Sequence, residues 1–223
     1  MTSARLIFAD PALARPDLPV SRPGQRIGVF GGTFDPPHAG HVLVSRTALT
    51  RLQLDAVWWL VSPGNPLKTR APAPLSKRLA TARDLACHPK EHVCAPEAHW
   101  GTRATVDTLS ELRHAVPGRR FVWIMGGDGL ADLHRWHRWQ DLAREVPIAV
   151  VARSGARARA LLSPAARWMA PFRLPERQAG QLPLRTAPAW SFLSAPLSAL
   201  SSTALRAQNQ TKGTDEQISS ELR

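Results

Sequence analysis

Four short stretches of this chain are apolar from end to end: Ile27–Phe30, Val57–Val61, Phe121–Met125 and Ile148–Val151. A strand with one wet face alternates apolar and polar residues, so unbroken runs of this length predict strands covered on both sides. Helical patterns lie between them, at Val42–Leu52, Leu75–Ala86, Val106–His114 and Gln140–Glu145. In the first helix Val42, Leu43, Ala48, Leu49 and Leu52 form the predicted core-facing stripe, with Arg46 and Arg51 pointing outward. Alternation of strand and helix predicts an α/β fold, a parallel sheet flanked by helices on both faces. After Val151 the pattern loosens through many prolines, and Trp190–Leu193 reads as a last strand.

A chain of 223 residues suits one domain. Residues 1–25, with Pro11, Pro16, Pro19 and Pro23, read as a flexible leader, 26–206 as the folded domain, and the polar 207–223 as a flexible tail. The 29 Lys+Arg against 17 Asp+Glu give a net charge of +12, which attracts anions of any kind. The excess is mostly scattered arginine without a block of like charges, so a nucleic-acid partner is not expected. Cys87 and Cys94 form no CxxC pair, and no apolar run approaches 18 residues, so a cytoplasmic protein without a membrane segment is expected.

Candidate chemistry gathers where the predicted strands end, the edge at which open parallel sheets bind ligands. After the first strand comes Gly31-Gly32-Thr33-Phe34-Asp35-Pro36-Pro37-His38-Ala39-Gly40-His41. Glycines let a backbone approach a ligand, and a helix starting near Gly40 aims N–H groups and the positive end of its dipole at an anion. His38 and His41, three residues apart, can face that anion together. Metal ligation, acid–base work and hydrogen-bond donation to phosphate are all open to the pair. The last is favoured, because no third ligand appears at helical spacing.

Lys68 follows the second strand in a loop, Ser62-Pro63-Gly64-Asn65-Pro66-Leu67-Lys68, from which a cation can reach a polyphosphate. Ser201-Ser202-Thr203 precedes Ala204-Leu205-Arg206 and reads as a second helix start, either a simple N-cap or a further phosphate contact. Asp128, after Gly126-Gly127, can accept from ribose hydroxyls or cap the helix that follows, and Arg153 ends another strand. Trp136 and Trp139 lie in a polar run where an indole can stack on a flat ring or pack, and His134 and His137 read as a solvated face.

Taken together, the stretch from Gly31 to His41 and Ser201–Arg206 resemble the HxGH and SSTxxR signatures of the nucleotidyltransferase superfamily. Within it the chain is most similar to the bacterial nicotinate-nucleotide adenylyltransferases, through the double glycine, the Pro-Leu-Lys loop, Thr105-Val106-Asp107-Thr108-Leu109, Gly-Gly-Asp at Asp128, and Trp136 followed by His137. The resemblance covers residues 26–206 and implies a Rossmann-like fold. It also implies transfer of AMP from ATP to nicotinate mononucleotide, giving deamido-NAD and pyrophosphate, with Mg2+ carried on the ATP phosphates.

By the same resemblance His38, His41, Lys68 and Arg206 are catalytic. Gly31, Gly32, Thr33, Phe34, Gly40, Asp128, Arg153, Ser202 and Thr203 contact ATP, Thr105 and Trp136 flank nicotinate mononucleotide, and no protein metal site is expected. The working unit is a monomer or homodimer. The alternatives are another adenylyltransferase or cytidylyltransferase, taking nicotinamide mononucleotide or phosphopantetheine, and a basic nucleic-acid-binding module. Ala204 departs from the family, which often has Asp there.

Overall fold

β1 (Arg26–Gly32) lies inside a seven-stranded sheet, all of whose neighbouring strands run parallel. The computed structural model describes residues 17–64, 70–152 and 157–195. From β1 the chain passes through α1 (Ala39–Arg51), β2 (Ala56–Val61), α2 (Leu75–Leu85), β3 (Glu91–Cys94), α3 (Pro96–Trp100) and α4 (Thr105–Ala115). It continues through β4 (Arg120–Gly126), α5 (Gly127–Asp132), α6 (Trp139–Glu145), β5 (Ile148–Ala152), α7 (Arg157–Leu161), α8 (Pro164–Met169), β6 (Arg173–Leu174) and β7 (Trp190–Ser194). Short 3-10 turns occupy Leu133–Arg135, Ala170–Phe172 and Glu176–Leu184.

The strand order is β3-β2-β1-β4-β5-β7-β6. The chain steps outward from β1 to β3 and then returns to β4 on the other side of β1. That reversal opens a crevice beyond the carboxyl ends of β1 and β4, the place where such sheets take ligands. Because side chains alternate along a strand, β1 feeds two cores. Ile27 and Val29 join Trp58, Leu60, Trp123 and Met125 on one face, while Phe30 joins Val57, Trp59, Val61, Val122 and Ile124 on the other.

Every strand expected from an apolar run is present, and so are the four helices, with shifts at their ends. β3 gave no such signal. It is a short edge strand of sequence Glu-His-Val-Cys with one neighbour, and its Glu91 is buried because Ser45 donates a hydrogen bond to it. Of the expected stripe of α1, Ala48, Leu49 and Leu52 are buried and Val42 packs on the core from a half-buried position, while Leu43 is only half-buried and Val44 and Ser45, not expected there, are buried. Polar partners account for this, since the Trp59 indole donates to Ser45 Oγ at 2.9 Å beneath the helix.

Residues 17–25, expected within the leader, lie along the domain. Gly24 N–H donates to the Gly118 carbonyl at 2.7 Å, Arg119 donates to the Ser21 hydroxyl and carbonyl, and Leu18 packs on the core. Cys87 is exposed and Cys94 buried, and both are free thiols. Among the described residues no helix is long and apolar enough to cross a membrane.

Ser45→Ala removes the shared partner of Trp59 and Glu91 and strands two polar groups in the core. We expect a loss of about 1–3 kcal/mol, read as a lower urea midpoint with unchanged m-value.

Candidate active site

The turn from β1 into α1 is fixed by its own histidines. His38 is the N-cap, in extended backbone with φ −154° and ψ 170°. Its ring Nδ1 accepts the Gly40 N–H at 3.0 Å, while His41 Nδ1 accepts the His38 N–H at 3.1 Å. This reciprocal arrangement is a capping box built from two imidazoles. An Nδ1 that accepts leaves the proton of the neutral ring on Nε2, so both rings are set to donate from that atom. The rings lie 3.9 Å apart at the start of a 13-residue helix whose first turn carries no acidic side chain. Positive helix end and imidazole donors therefore converge on one spot, suited to phosphate oxygens.

Behind the turn, Phe34 stacks on Trp59 at 5.2 Å and meets the His41 ring edge-on at 5.0 Å. Phe34 is only 2 % exposed, so only its backbone could meet a ligand. Residue 34 also sits at φ 47°, in the left-handed region, a cost that this packing offsets.

Arg78 of α2 ties the ends of β1 and β2 together. Its buried guanidinium donates to the carbonyls of Thr33 at 2.6 Å, Ser62 at 2.7 Å, Ala73 at 2.7 Å and Pro63 at 3.1 Å. Burial lowers its pKa, and the charge of Asp35 works in the other direction. Four carbonyls in fixed positions suit the planar fork of arginine, and the loop after β1 is thereby held against the loop after β2.

A cavity of about 530 Å³ opens beside the same strand end. Gly31, Gly32 and Thr33 form one wall, Arg103, Ala104 and Thr105 another, and Trp123 and Trp136 supply the aromatic surface. The two indoles meet edge to face at 84°, with centroids 6.3 Å apart. Gly31 is needed here, because a Cβ would come within 2.1 Å of Trp123 Cη2. Arg135 and His137, both exposed, complete the surround, together with Ser62, Gly64 and Glu97.

Glu97 is the unusual member. It lies in α3, 8 % exposed, with its Oε1 3.3 Å from the Thr108 hydroxyl, which is in turn 2.9 Å from Thr102 Oγ1. Burial pushes the carboxyl up to about 7 from an ordinary 4.5, although the Thr108 bond works against that.

A cytidylyltransferase-like family profile matches residues 29–208. A protein of Ruegeria pomeroyi named "Probable nicotinate-nucleotide adenylyltransferase" is 52 % identical over 86 % of this chain and 91 % of its own length. One of Cereibacter sphaeroides with the same name is 54 % identical over 84 % of this chain and 99 % of its own length. The chain belongs to the nicotinate-nucleotide adenylyltransferase family. Its fold is also that of the Plasmodium falciparum nicotinic acid mononucleotide adenylyltransferase solved with NaAD, at a TM-score of 0.61, 17 % identity and coverage of 82 % of this chain and 83 % of that one.

Of the residues that the family resemblance singled out, the structure brings His38, Gly40 and His41 together at one helix start, and Gly31, Gly32, Thr33, Thr105 and Trp136 around one cavity. Asp128 is exposed in the first turn of α5 and does not cap it, since Gly126 is the N-cap and no side-chain cap bond forms. Trp139 packs edge-on against Trp168 at 5.3 Å. His134 is half-buried rather than solvated, because the 3-10 turn at Leu133–Arg135 folds it inward, and His137 borders the cavity. Lys68, Arg153, Ser202, Thr203 and Arg206 lie outside the described residues.

Arg78, Glu97, Arg103 and Arg135 were not singled out from sequence. Arg78 and Glu97 carried a usable signal only as charges at positions where a helix must face the core.

Arg78→Lys keeps the charge but cannot reach four carbonyls, and we expect a loss of about 3 kcal/mol, measured by urea unfolding. The folded Glu97 carboxyl holds its proton more tightly than the unfolded one, so its contribution to stability is full below about pH 4.5 and is lost as pH rises to about 7. Glu97→Gln abolishes that loss, so the difference in unfolding free energy between variant and wild type should move in the variant's favour, by on the order of 3 kcal/mol, between pH 4.5 and pH 8.

Proposed function

We propose that this protein transfers the adenylyl group of ATP to nicotinate mononucleotide, forming deamido-NAD and releasing pyrophosphate. One observation carries the reading: a single strand end, Gly31–Thr33, leads directly to a helix start with two imidazoles and also forms a wall of a cavity lined by Thr105 and Trp136. A triphosphate at the helix start and a ring-bearing mononucleotide in the cavity would meet at that strand end. The identity above 50 % with bacterial relatives named for this activity supports it.

The chemistry asks for alignment more than for a base. An oxygen of the mononucleotide phosphate attacks the α-phosphorus of ATP, a new P–O bond forms, and the bond to the bridging oxygen breaks as pyrophosphate leaves with its electron pair. The attacking oxygen is already anionic, so no covalent enzyme intermediate is required. His38 and His41 would donate from Nε2 to phosphate oxygens, where charge grows in the transition state. Gly31, Gly32, Thr33 and Gly40 would offer backbone contacts to ATP, as would Phe34, whose ring is committed to the core.

Lys68, Arg206, Ser202 and Thr203 would brace the triphosphate, Arg153 would border the nucleotide, and Asp128 would accept from a ribose. Two imidazoles and backbone N–H groups suit phosphate oxygens rather than a hard cation. Mg2+ therefore fits as a companion of the triphosphate, where it neutralises charge. Thr105 and Trp136 would receive the pyridine ring, the indole offering a flat face to it.

Pyrophosphate release from ATP should be fastest with nicotinate mononucleotide, when it is assayed beside nicotinamide mononucleotide and phosphopantetheine. Release with phosphopantetheine alone would overturn the reading. His41→Ala should lower kcat roughly a hundredfold, and it should also lower Tm slightly, because the ring caps α1 at a cost of about 1 kcal/mol when removed.

A further inference from the structure

Two polar groups are buried in the wall of the cavity: the Trp123 indole N–H, without a partner among the described residues, and the Glu97 carboxyl. The other ionisable side chains that line it are Arg103, Arg135 and His137. Arg103 lies in the loop before α4, and Arg135 and His137 lie on the opposite side, all three exposed. An anionic ligand can thus be drawn to the mouth by the arginines, yet it meets an acidic side chain inside. On the reading above, the ligand carries a ring carboxylate as well as a phosphate, and two carboxylates brought together in one cavity repel.

We propose that Glu97 is a specificity-determining residue of this cavity: uncharged, its carboxyl group forms part of the wall that receives a negatively charged ring, and charged it repels that ring. Its surroundings are built to keep it in place. Oε1 faces Thr108 of α4, and that hydroxyl also meets Thr102 and the Ala104 carbonyl at 3.2 Å. Cys94, at the end of β3, is a buried thiol pushed up to about 12, chiefly by burial, with Asp17, Arg83 and Glu97 as smaller influences, so it stays neutral. Asp107 of α4 is engaged by Arg138 at 3.3 Å on the exposed side. No cation pairs with Glu97 among the described residues, and burial outweighs the single hydroxyl contact, so the acid form predominates below about pH 7 and the charged form above it.

The consequence is a pH-dependent preference between two ligands that differ in ring charge. It rests on the adenylyl-transfer reading and is tested separately from it. KM is measured for nicotinate and nicotinamide mononucleotides at saturating ATP from pH 6 to pH 8.5, so that titration of the phosphate they share cancels in the ratio. For the wild type the ratio of the nicotinate to the nicotinamide KM should rise about tenfold across this range, while the KM for ATP stays constant. Glu97→Gln, which mimics the uncharged group, should hold the ratio flat at its low-pH value.

Thr108→Val, which removes the bond that favours the charged form, should move the rise to higher pH. That variant carries the test by itself if Glu97→Gln fails to fold. Parallel pH profiles for wild type and Glu97→Gln, or a Thr108→Val profile that does not move, would overturn the role of Glu97. Absence of turnover with either mononucleotide at every pH would overturn the adenylyl-transfer reading instead.

Discussion

The ligand-facing edge of this protein depends on one buried guanidinium. Arg78 reaches from α2 to four backbone carbonyls that belong to the loops after β1 and β2 and to the segment entering its own helix. Carbonyls at the end of a parallel strand have no further strand to pair with, and burying them unpaired would cost about 1–3 kcal/mol apiece. Supplying one planar cation to four of them removes that cost and fixes two loops relative to each other. The desolvation of Arg78 is the counterweight, visible in its lowered pKa, and it is tolerated because all the donors in use have acceptors in good positions. A wandering loop would spread the positions of Gly31–Thr33. A pinned one lets the helix start and the cavity keep a constant separation.

Fold and chemistry share atoms at the start of α1. The hydrogen bonds that end the helix, from Gly40 N–H to His38 Nδ1 and from His38 N–H to His41 Nδ1, are the same bonds that set which nitrogen carries the proton. An Asp cap would satisfy the backbone equally well but would present no donor outward, and it would place a negative charge against an incoming anion. Histidine at both positions satisfies the helix and leaves the far side of each ring directed by the near side. The helix is itself locked in rotation by the chain Trp59, Ser45 and Glu91, one turn further along.

This division explains what could be read from the amino-acid order. The central strands announced themselves, since the middles of β1 and β4, and β2 and β5 nearly end to end, are buried on both faces and so apolar. The glycine turn and its histidines were legible because close backbone approach and helix capping both demand particular residues at fixed spacing. β3, Arg78 and Glu97 were not. Glu91 of β3 and Arg78 are polar and are buried against partners far away in sequence: Glu91 with Ser45, 46 positions apart, and Arg78 with Thr33, 45 positions apart. Local periodicity holds no record of such pairs. The same blindness passed over Ser45, which is buried on the core face of α1.

The net charge of +12 and the state of Glu97 look contradictory at first, since a strongly basic protein should hold its carboxylates ionised. Solvent resolves the conflict. Exposed arginines are screened by water and salt, and the group's own loss of water is not screened at all. What shifts Glu97 is burial, opposed by a single hydroxyl, with no charged neighbour contributing among the described residues. The overall charge therefore gathers anions without choosing among them, and selection falls to dry places in the wall of the cavity, where one side chain's hydration decides its charge.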